Sequence, residues 1–376
     1  MRILHLAYED PRQPGSGGGS IRTREVNRRL AGRHDITAIV AGYPGAASRV
    51  EDGITWVPIG PRRLGAAPRL SYFALLGAVL HRYQSDLVVE DFAAPFSVGL
   101  SPLFTRRPVV ASVQWLFARE MRAKYHLPFD LIEAAGIKAY DDFIVVSDWL
   151  GREVRRHRRR AMVETIPNGV DPMAFETRVV TPSHLAYVGR LDMTQKGLDI
   201  LVEVVVRLRV LLGSRMPPVE IIGDGPDRVR LEALSRARGI DDIVRFRGRL
   251  DGKDKFASVG AAYAVLMPSR FETFGMVAVE ALAAGVPLVA FDIGPLREVA
   301  GAGGARLVAP FEGDAFAREV ARIIDDPEYR RHLCSTGRHW ARQFDWDVIA
   351  DRQEAHYLAA LERHLYELSR GFDGRQ

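Results

Sequence analysis

The chain holds a single cysteine, Cys334, among its 376 residues. An internal disulfide and a cysteine-based metal site are both excluded, and a reducing compartment is expected. Lysine is almost as scarce: five of the 52 basic residues are lysine, so nearly all positive charge sits on arginine. Long apolar runs are missing too. The opening Met-Arg-Ile-Leu-His-Leu-Ala-Tyr turns polar at Glu9, which is too short for a signal-peptide centre. No later run reaches the roughly 18 apolar residues of a spanning helix. These absences point to an intracellular protein, cytoplasmic or peripheral at the inner face of the membrane. There is no internal repeat, and no low-complexity segment longer than the glycine cluster Gly15–Gly19. What remains, 47% hydrophobic and 26% charged residues, is the balance of a folded α/β protein. The length allows two or three domains.

Short β-branched runs alternate with helical stretches from end to end, the pattern of βαβ units. The first half offers strands at Arg2–Ala7, Ile36–Val40, Leu87–Glu90, Val109–Val113 and Phe143–Val146. Several are apolar on both faces, as a helix-covered parallel sheet requires. Turn-forming residues at Ile166-Pro-Asn-Gly-Val-Asp-Pro-Met-Ala-Phe175 mark a linker. Strands resume at His184–Gly189, Val219–Ile222, Val244–Phe246, Val265–Met267, Leu288–Phe291 and Arg306–Val308. Phe344-Asp-Trp-Asp347 reads as the cap of a last helix that runs to about Leu368. The expected organisation is a first domain over 1–175, a second over 176–345, and a helix in 346–376 that returns to buttress the first.

Two segments carry chemistry. In Pro268-Ser-Arg-Phe-Glu272-Thr-Phe-Gly275-Met-Val-Ala-Val-Glu280, a strand ends in a loop and a helix begins near Gly275. The N–H groups of Phe274, Gly275 and Met276 at that helix start suit a phosphate. Glu280, in the second turn, can accept both hydroxyls of a ribose, and Glu272 can reach a sugar hydroxyl. In Tyr187-Val-Gly-Arg190-Leu-Asp-Met-Thr-Gln-Lys196, Arg190 ends a strand and Lys196 opens the next helix, at the edge where α/β sheets bind ligands. A lysine facing the positive end of a helix dipole calls for a bound anion.

Together with Pro167-Asn-Gly-Val-Asp171, Gly223-Asp-Gly-Pro226 and Val244-Arg-Phe-Arg-Gly248, these segments resemble the retaining GT-B glycosyltransferases, a family that includes glycogen synthases, sucrose synthases and bacterial cell-envelope transferases. The resemblance implies an α/β GT-B fold: two facing Rossmann-like domains with parallel sheets and a cleft between them. It implies a hexosyl transfer from a nucleotide-diphosphate sugar, metal-independent and cofactor-free, of use in bacterial glycoconjugate or natural-product synthesis. Arg190 and Lys196 would neutralise the leaving diphosphate, Glu280 would hold the ribose, Glu272 would contact the sugar, and a loop at Arg247 and Gly248 would lie near the base. A leaving phosphate oxygen would take the acceptor proton on the same face.

The first half matches the family more loosely. Gly18 and Gly19 would form a mobile loop beside the donor phosphate. Gln114 stands after the strand Val109–Val113, where the family often has histidine. An amide can bond a sugar hydroxyl but cannot act as a general base. Glu90 and Asp91 are further acceptor-side candidates. A dinucleotide fingerprint built on Gly15, Gly17 and Asp35 fails on position: the glycines come too far after Ala7, Ser20 replaces the third glycine, and Asp35 precedes its strand. A pyridoxal-phosphate lysine context, which a phosphorylase would need, is not evident. A nucleotide-sugar epimerase or, less favoured, a sugar phosphorylase remains as an alternative within the fold. From another class, a basic membrane- or nucleic-acid-binding protein with a vestigial site remains.

Charge is divided unevenly. Residues 1–175 hold 24 Lys+Arg against 18 Asp+Glu, and residues 176–376 hold 28 against 29. The densest basic run, Arg152, Arg155, Arg156, His157 and Arg158–Arg160, is expected on a helix begun by Ser147 or Asp148. It suits an anionic lipid surface or an anionic or lipid-linked acceptor as well as a solvated face. No aromatic or groove-reading companions accompany it, so nucleic acid is not expected. The apolar stretch Leu70–Leu80 reads as buried in the first domain, with a membrane surface as its other reading.

Overall fold

The computed structural model describes residues 1–373 except 15, 64, 93–98, 117, 119–121, 123–125, 127 and 302. Gly15 therefore lies outside the described residues. The chain divides into two compact units, Met1–Asn168 with Trp346–Gln376, and Gly169–Asp345.

Eight strands form the sheet of the first unit: β1 (Arg2–Tyr8), β2 (Asp35–Ala41), β3 (Arg49–Glu51), β4 (Ile54–Ile59), β5 (Leu87–Phe92), β6 (Val109–Val113), β7 (Asp142–Val145) and β8 (Met162–Thr165). Their order is β3-β4-β2-β1-β5-β6-β7-β8, parallel except for the β3–β4 pair. That antiparallel pair turns at Asp52 and Gly53, both with left-handed φ (54° and 77°), the backbone of a tight hairpin. The five strands expected in this half are all present. β3, β4 and β8 are additional.

Helices Gly18–Leu30 and Trp346–Asp373 cover one face of this sheet, where Val26, Leu30, Trp346, Ile349 and Tyr357 join Ile3, Val89 and Val110 in one core. Helix Ala66–Arg82 covers the other face, burying Tyr72, Leu76, Val79 and Leu80 against Leu4, Leu6 and Val88. Each large apolar side chain so buried contributes about 1.5–3 kcal/mol. Inward burial thus accounts for four of the eleven residues Leu70–Leu80.

The second unit carries β9 (His184–Val188), β10 (Val219–Ile222), β11 (Val244–Gly248), β12 (Ala262–Met267), β13 (Leu288–Phe291) and β14 (Ala305–Val308), all parallel, in the order β11-β10-β9-β12-β13-β14. This is the doubly wound order, with its switch point between β9 and β12. Helices Leu198–Leu212 and Gly313–Asp325 pack together over one face.

The division falls after Asn168 rather than at 175. The Val170 N–H donates to the Phe344 carbonyl (2.8 Å), and the turn Pro172–Phe175, capped by Asp171, packs against helices Gly252–Gly260 and Met276–Ala283. The linker residues beyond Asn168 therefore belong to the second unit.

Candidate functional site

The switch point of the second sheet gathers both chemical segments. β9 runs into Gly189, whose φ of 151° only glycine adopts readily, and the Tyr187 hydroxyl donates to the Arg190 carbonyl (2.9 Å), fixing that turn. The Arg190 side chain is exposed. Asp192 then caps a four-residue helix, Met193–Lys196, by accepting from the Gln195 N–H (3.0 Å). Gly197 ends it with φ 62°, and a Cβ there would meet the Pro268 carbonyl at 2.0 Å. Lys196 consequently closes this short helix; helix Leu198–Leu212 starts only after Gly197. The expectation that Lys196 opens a helix is corrected: the tight approach to Pro268 forces a glycine break in between. Lys196 faces the negative end of its own turn, so the dipole argument for an anion does not apply to it.

A carboxylate stands beside it instead. Lys196 Nζ donates to Glu272 Oε1 at 2.6 Å, and the same oxygen accepts from the Ser269 hydroxyl at 2.8 Å. Glu272 is 6% exposed. Helix Met276–Ala283 starts just beyond, with Gly275 at φ 89°, where a Cβ would lie 2.5 Å from Leu296 Cδ2. The Ala278 N–H donates to the Gly275 carbonyl (2.8 Å), while the N–H groups of Phe274, Gly275 and Met276 precede the helical ladder, where a helix start suits an oxyanion. The Phe274 ring is buried, edge-on to Phe344 at 6.0 Å, so this residue offers backbone rather than side chain.

Glu280, one turn further, meets a residue that sequence reasoning missed. Lys255 Nζ donates to Glu280 Oε1 at 2.9 Å. Burial raises the Glu280 pKa above the ordinary carboxylate value, although Lys255 opposes the shift. Arg270 was missed as well. It bonds Asp199 through two nitrogens (2.7 and 2.6 Å) and the Met193 carbonyl (2.9 Å), while its N–H donates to the Gln195 carbonyl (3.0 Å). It thereby ties the Lys196 segment to the Glu272 segment, and its bond holds the Asp199 carboxyl below its usual range. The lone arginine inside Pro268-Ser-Arg-Phe was the available signal.

Arg247 and Gly248 form the end of strand β11, not a loop, because pairing with β10 continues to Gly248. Arg247 Nη1 donates to Glu220 Oε1 at 2.6 Å, and the other Glu220 oxygen accepts from the Ser258 hydroxyl at 2.9 Å.

In the first unit, Gly18 and Gly19 open helix Gly18–Leu30 instead of forming a loop. Gly17 adopts extended backbone as the cap, and the Ser20 hydroxyl donates to its carbonyl (2.8 Å), while the Thr23 hydroxyl lies 3.1 Å from the Gly19 carbonyl. A Cβ on Gly19 would touch Gln114 Cγ at 3.6 Å, so these two candidates are neighbours. Glu90 is buried and accepts from the N–H groups of Gly99 and Ser101; burial raises its pKa. Asp91 accepts from Thr23 Oγ1 (2.6 Å) and pairs with His5 Nε2 (3.1 Å). Both carboxylates are thus engaged internally. The segment before Gly18 is anchored by Asp10, wholly buried, which accepts two bonds from Arg49 (2.7 and 2.8 Å) and one from Tyr43 (3.1 Å). Burial pushes the Asp10 pKa up, but the bonds and charge of Arg49, with the Arg12 N–H and the Tyr43 hydroxyl, together outweigh it and hold the carboxyl below its usual value.

The basic run is shorter as a helix than expected, Asp148–His157, with Arg158–Arg160 beyond its end. Arg155 donates to the Val163 carbonyl, Arg156 pairs with Glu153, and Arg158 pairs with Asp141. Asp35 opens β2 rather than ending it. Among the described residues no three His, Cys, Asp or Glu side chains converge as a metal site, and no helix is long and apolar enough to cross a membrane.

Two family models tile most of the chain: Glycosyltransferase Family 4 over residues 16–173 and Glycosyl transferases group 1 over residues 174–340. An MMP alpha-(1->4)-mannosyltransferase of Mycolicibacterium hassiacum is 29% identical over 296 residues, covering 77% of this chain and 66% of that protein. A glycogen synthase of Mycobacterium tuberculosis is 34% identical over 209 residues, 53% of this chain and 49% of the other. The chain thus spans between half and two thirds of the length of these relatives. Among solved structures, sucrose-phosphate synthase from Thermosynechococcus elongatus superposes with a TM-score of 0.77 at 22% identity, covering 98% of this chain and 99% of that one. Anabaena HepE, solved with UDP and glucose, gives 0.70 at 19% identity, with coverage of 96% and 99%.

Proposed function

The chain belongs to the GT-B glycosyltransferase family, and we propose that it moves a hexosyl group from a nucleotide-diphosphate sugar to an acceptor hydroxyl, with retention and without a divalent metal. The observation that carries this reading is the meeting of Lys196 with Glu272 at 2.6 Å beside the helix start at Gly275. Cation, carboxylate and free N–H groups are the three partners that a sugar diphosphate requires. Lys196 keeps donors to spare after its bond to Glu272, and Glu272 keeps its second oxygen for a sugar hydroxyl.

In this reading the diphosphate lies on the N–H groups of Phe274–Met276, with Arg190 and Lys196 as counter-charges, and Glu280 takes the ribose hydroxyls. As the anomeric C–O bond breaks, negative charge grows on the leaving diphosphate, where these fixed groups stabilise it. The acceptor oxygen bonds the anomeric carbon on the same face, and its proton passes to the leaving phosphate oxygen. No protein nucleophile or base is needed, which agrees with an amide at Gln114. The acceptor is assigned to the first unit, with Gln114 and the helix start at Gly18 and Gly19 as its candidate contacts.

Thermal melting against UDP, GDP, ADP, dTDP and their sugars tests the donor assignment, since a ligand of the native state raises stability as RT ln(1 + [L]/Kd). One base family should stabilise the chain, and its sugar should release nucleoside diphosphate slowly in water. No stabilisation by any of the four, in protein that melts cooperatively, would remove the donor reading.

A further inference from the structure

The charge asymmetry of the chain finds its clearest expression away from the helical arginine run. Residues 53–85 contain no Asp or Glu but hold Arg62, Arg63, Arg69 and Arg82; residues 99–119 likewise lack carboxylates and hold Arg106, Arg107 and Arg119. At the chain's average of roughly one carboxylate in eight residues, the first span alone would hold about four.

Helix Ala66–Arg82 lies within this span. Its inner side fills the core, but its outer side is apolar where a solvated helix would be charged. Leu70, Ala74 and Ala78, spaced four apart on one stripe, are exposed, and Leu75 lies beside them. Leu70 is 59% exposed and Leu75 39%. The turn Ser101–Leu103 extends the surface: the Phe104 ring rests on Gly77, whose Cβ would lie 3.4 Å from Phe104 Cδ1. Leu103 is 68% exposed and Phe104 48%. Arg62 and Arg63 precede the helix, Arg82 ends it and Arg106 follows Phe104. All four are exposed, and none has a side-chain partner among the described residues. Arg155, Arg156 and Arg158, by contrast, are bonded within the first unit.

We propose that this face, the outer side of helix Ala66–Arg82 with Leu103 and Phe104, docks on an anionic lipid bilayer. Leucine and phenylalanine side chains without a groove of their own enter the acyl boundary, and arginines of one sign meet the headgroups. The same-sign charge around the apolar centre, with no Asp or Glu in residues 53–85 or 99–119, matches a surface of many anionic headgroups. The inference does not depend on the transfer reaction, and it moves the membrane contact from the helical arginine run to a surface where charge and apolar area coincide.

Co-sedimentation of the full chain with phosphatidylglycerol:phosphatidylcholine vesicles tests it, against vesicles of phosphatidylcholine alone. The expected result is binding to the anionic vesicles that weakens with salt. Replacing Arg62, Arg63, Arg82 and Arg106 with serine should lower it by at least about fiftyfold at low salt. Replacing Leu75, Leu103 and Phe104 with serine should lower it by about tenfold or more at any salt, with the melting curve unchanged. A variant carrying Arg155→Ser and Arg156→Ser should bind as the parent does. Absence of binding to anionic vesicles, parental binding by both patch variants, loss confined to the Arg155/Arg156 variant, or a dimer that the apolar substitutions dissolve would each overturn the assignment.

Discussion

Replacing Lys196 with methionine removes the ammonium and keeps most of the side-chain volume, so its effect isolates the charge. Its partner Glu272 is 7% exposed at the side chain and Lys196 19%. After the change, the Glu272 carboxylate would stay inside with only the Ser269 hydroxyl as a donor. Breaking a fully buried pair costs about 3–5 kcal/mol; partial water access at Lys196 lowers the expectation to about 2–3 kcal/mol. Urea unfolding followed by circular dichroism reads this loss. Adding Glu272→Gln to Lys196→Met should recover much of it, because the stranded charge is then gone, giving a coupling of about 1–2 kcal/mol in the cycle. Calorimetry with the stabilising nucleotide should show weaker binding in both variants, since a diphosphate contact is missing in each. If Lys196→Met unfolds like the parent and the two changes simply add, the pair is not formed in solution, and the grouping of cation and carboxylate at this edge is wrong.

Glu280→Gln should weaken donor binding by about 1–3 kcal/mol, measured by calorimetry, as a lost bond to a charged group does. Burial raises the Glu280 pKa above 4.5, so its contribution to stability falls as pH rises through the folded value. The glutamine variant should therefore gain on the parent between acid and neutral pH in melting curves. Gly275→Ala places a Cβ 2.5 Å from Leu296 Cδ2 at a φ of 89°, and should cost about 2–4 kcal/mol in urea unfolding from left-handed strain and overpacking. The Asp10 carboxyl is held below 3.8, so it supports stability above its unfolded pKa, and that support disappears as pH falls through the folded value. Arg49→Met should thus destabilise at neutral pH and differ little from the parent near pH 2 in acid titration. Transfer activity should survive chelation by EDTA; complete loss restored by magnesium would replace the arginine and lysine charges with a metal in the mechanism.

Every expected strand is present, both those buried on both faces and the half-exposed edge strands Val244–Gly248 and Ala305–Val308. Periodicity passed over β8, where Met162–Thr165 alternates between exposed and half-buried positions at a sheet edge. It also passed over the β3–β4 hairpin, although Asp52-Gly53 is a strong local turn signal. The misplacement of Lys196 had a tertiary cause. Gly197 breaks the helix because Pro268, far away in sequence, comes within a Cβ's reach of it. Gly18 and Gly19 differ for a local reason: a glycine cluster reads as a loop, yet the helix begins within it at Gly18, without a side-chain cap. Partners on other elements, Lys255 for Glu280 and Arg270 for Asp199, were invisible to spacing because sequence distance carries no record of which strand ends lie side by side.

The return of helix Trp346–Asp373 to the first unit has a consequence for biosynthesis. The ribosome delivers Met1–Asn168 first, yet the core of that unit lacks Trp346, Ile349, Ala350 and Tyr357 until the last residues emerge. The second unit is continuous in the chain, and all of it precedes that helix. Domains generally fold as units in the order they are made. Here the order inverts: the unit made second is the first to have its complete sequence available, while the unit made first waits with one sheet face covered only in part, by helix Gly18–Leu30. Stop codons or tags that disturb the region after Asp345 therefore threaten the first unit rather than the second.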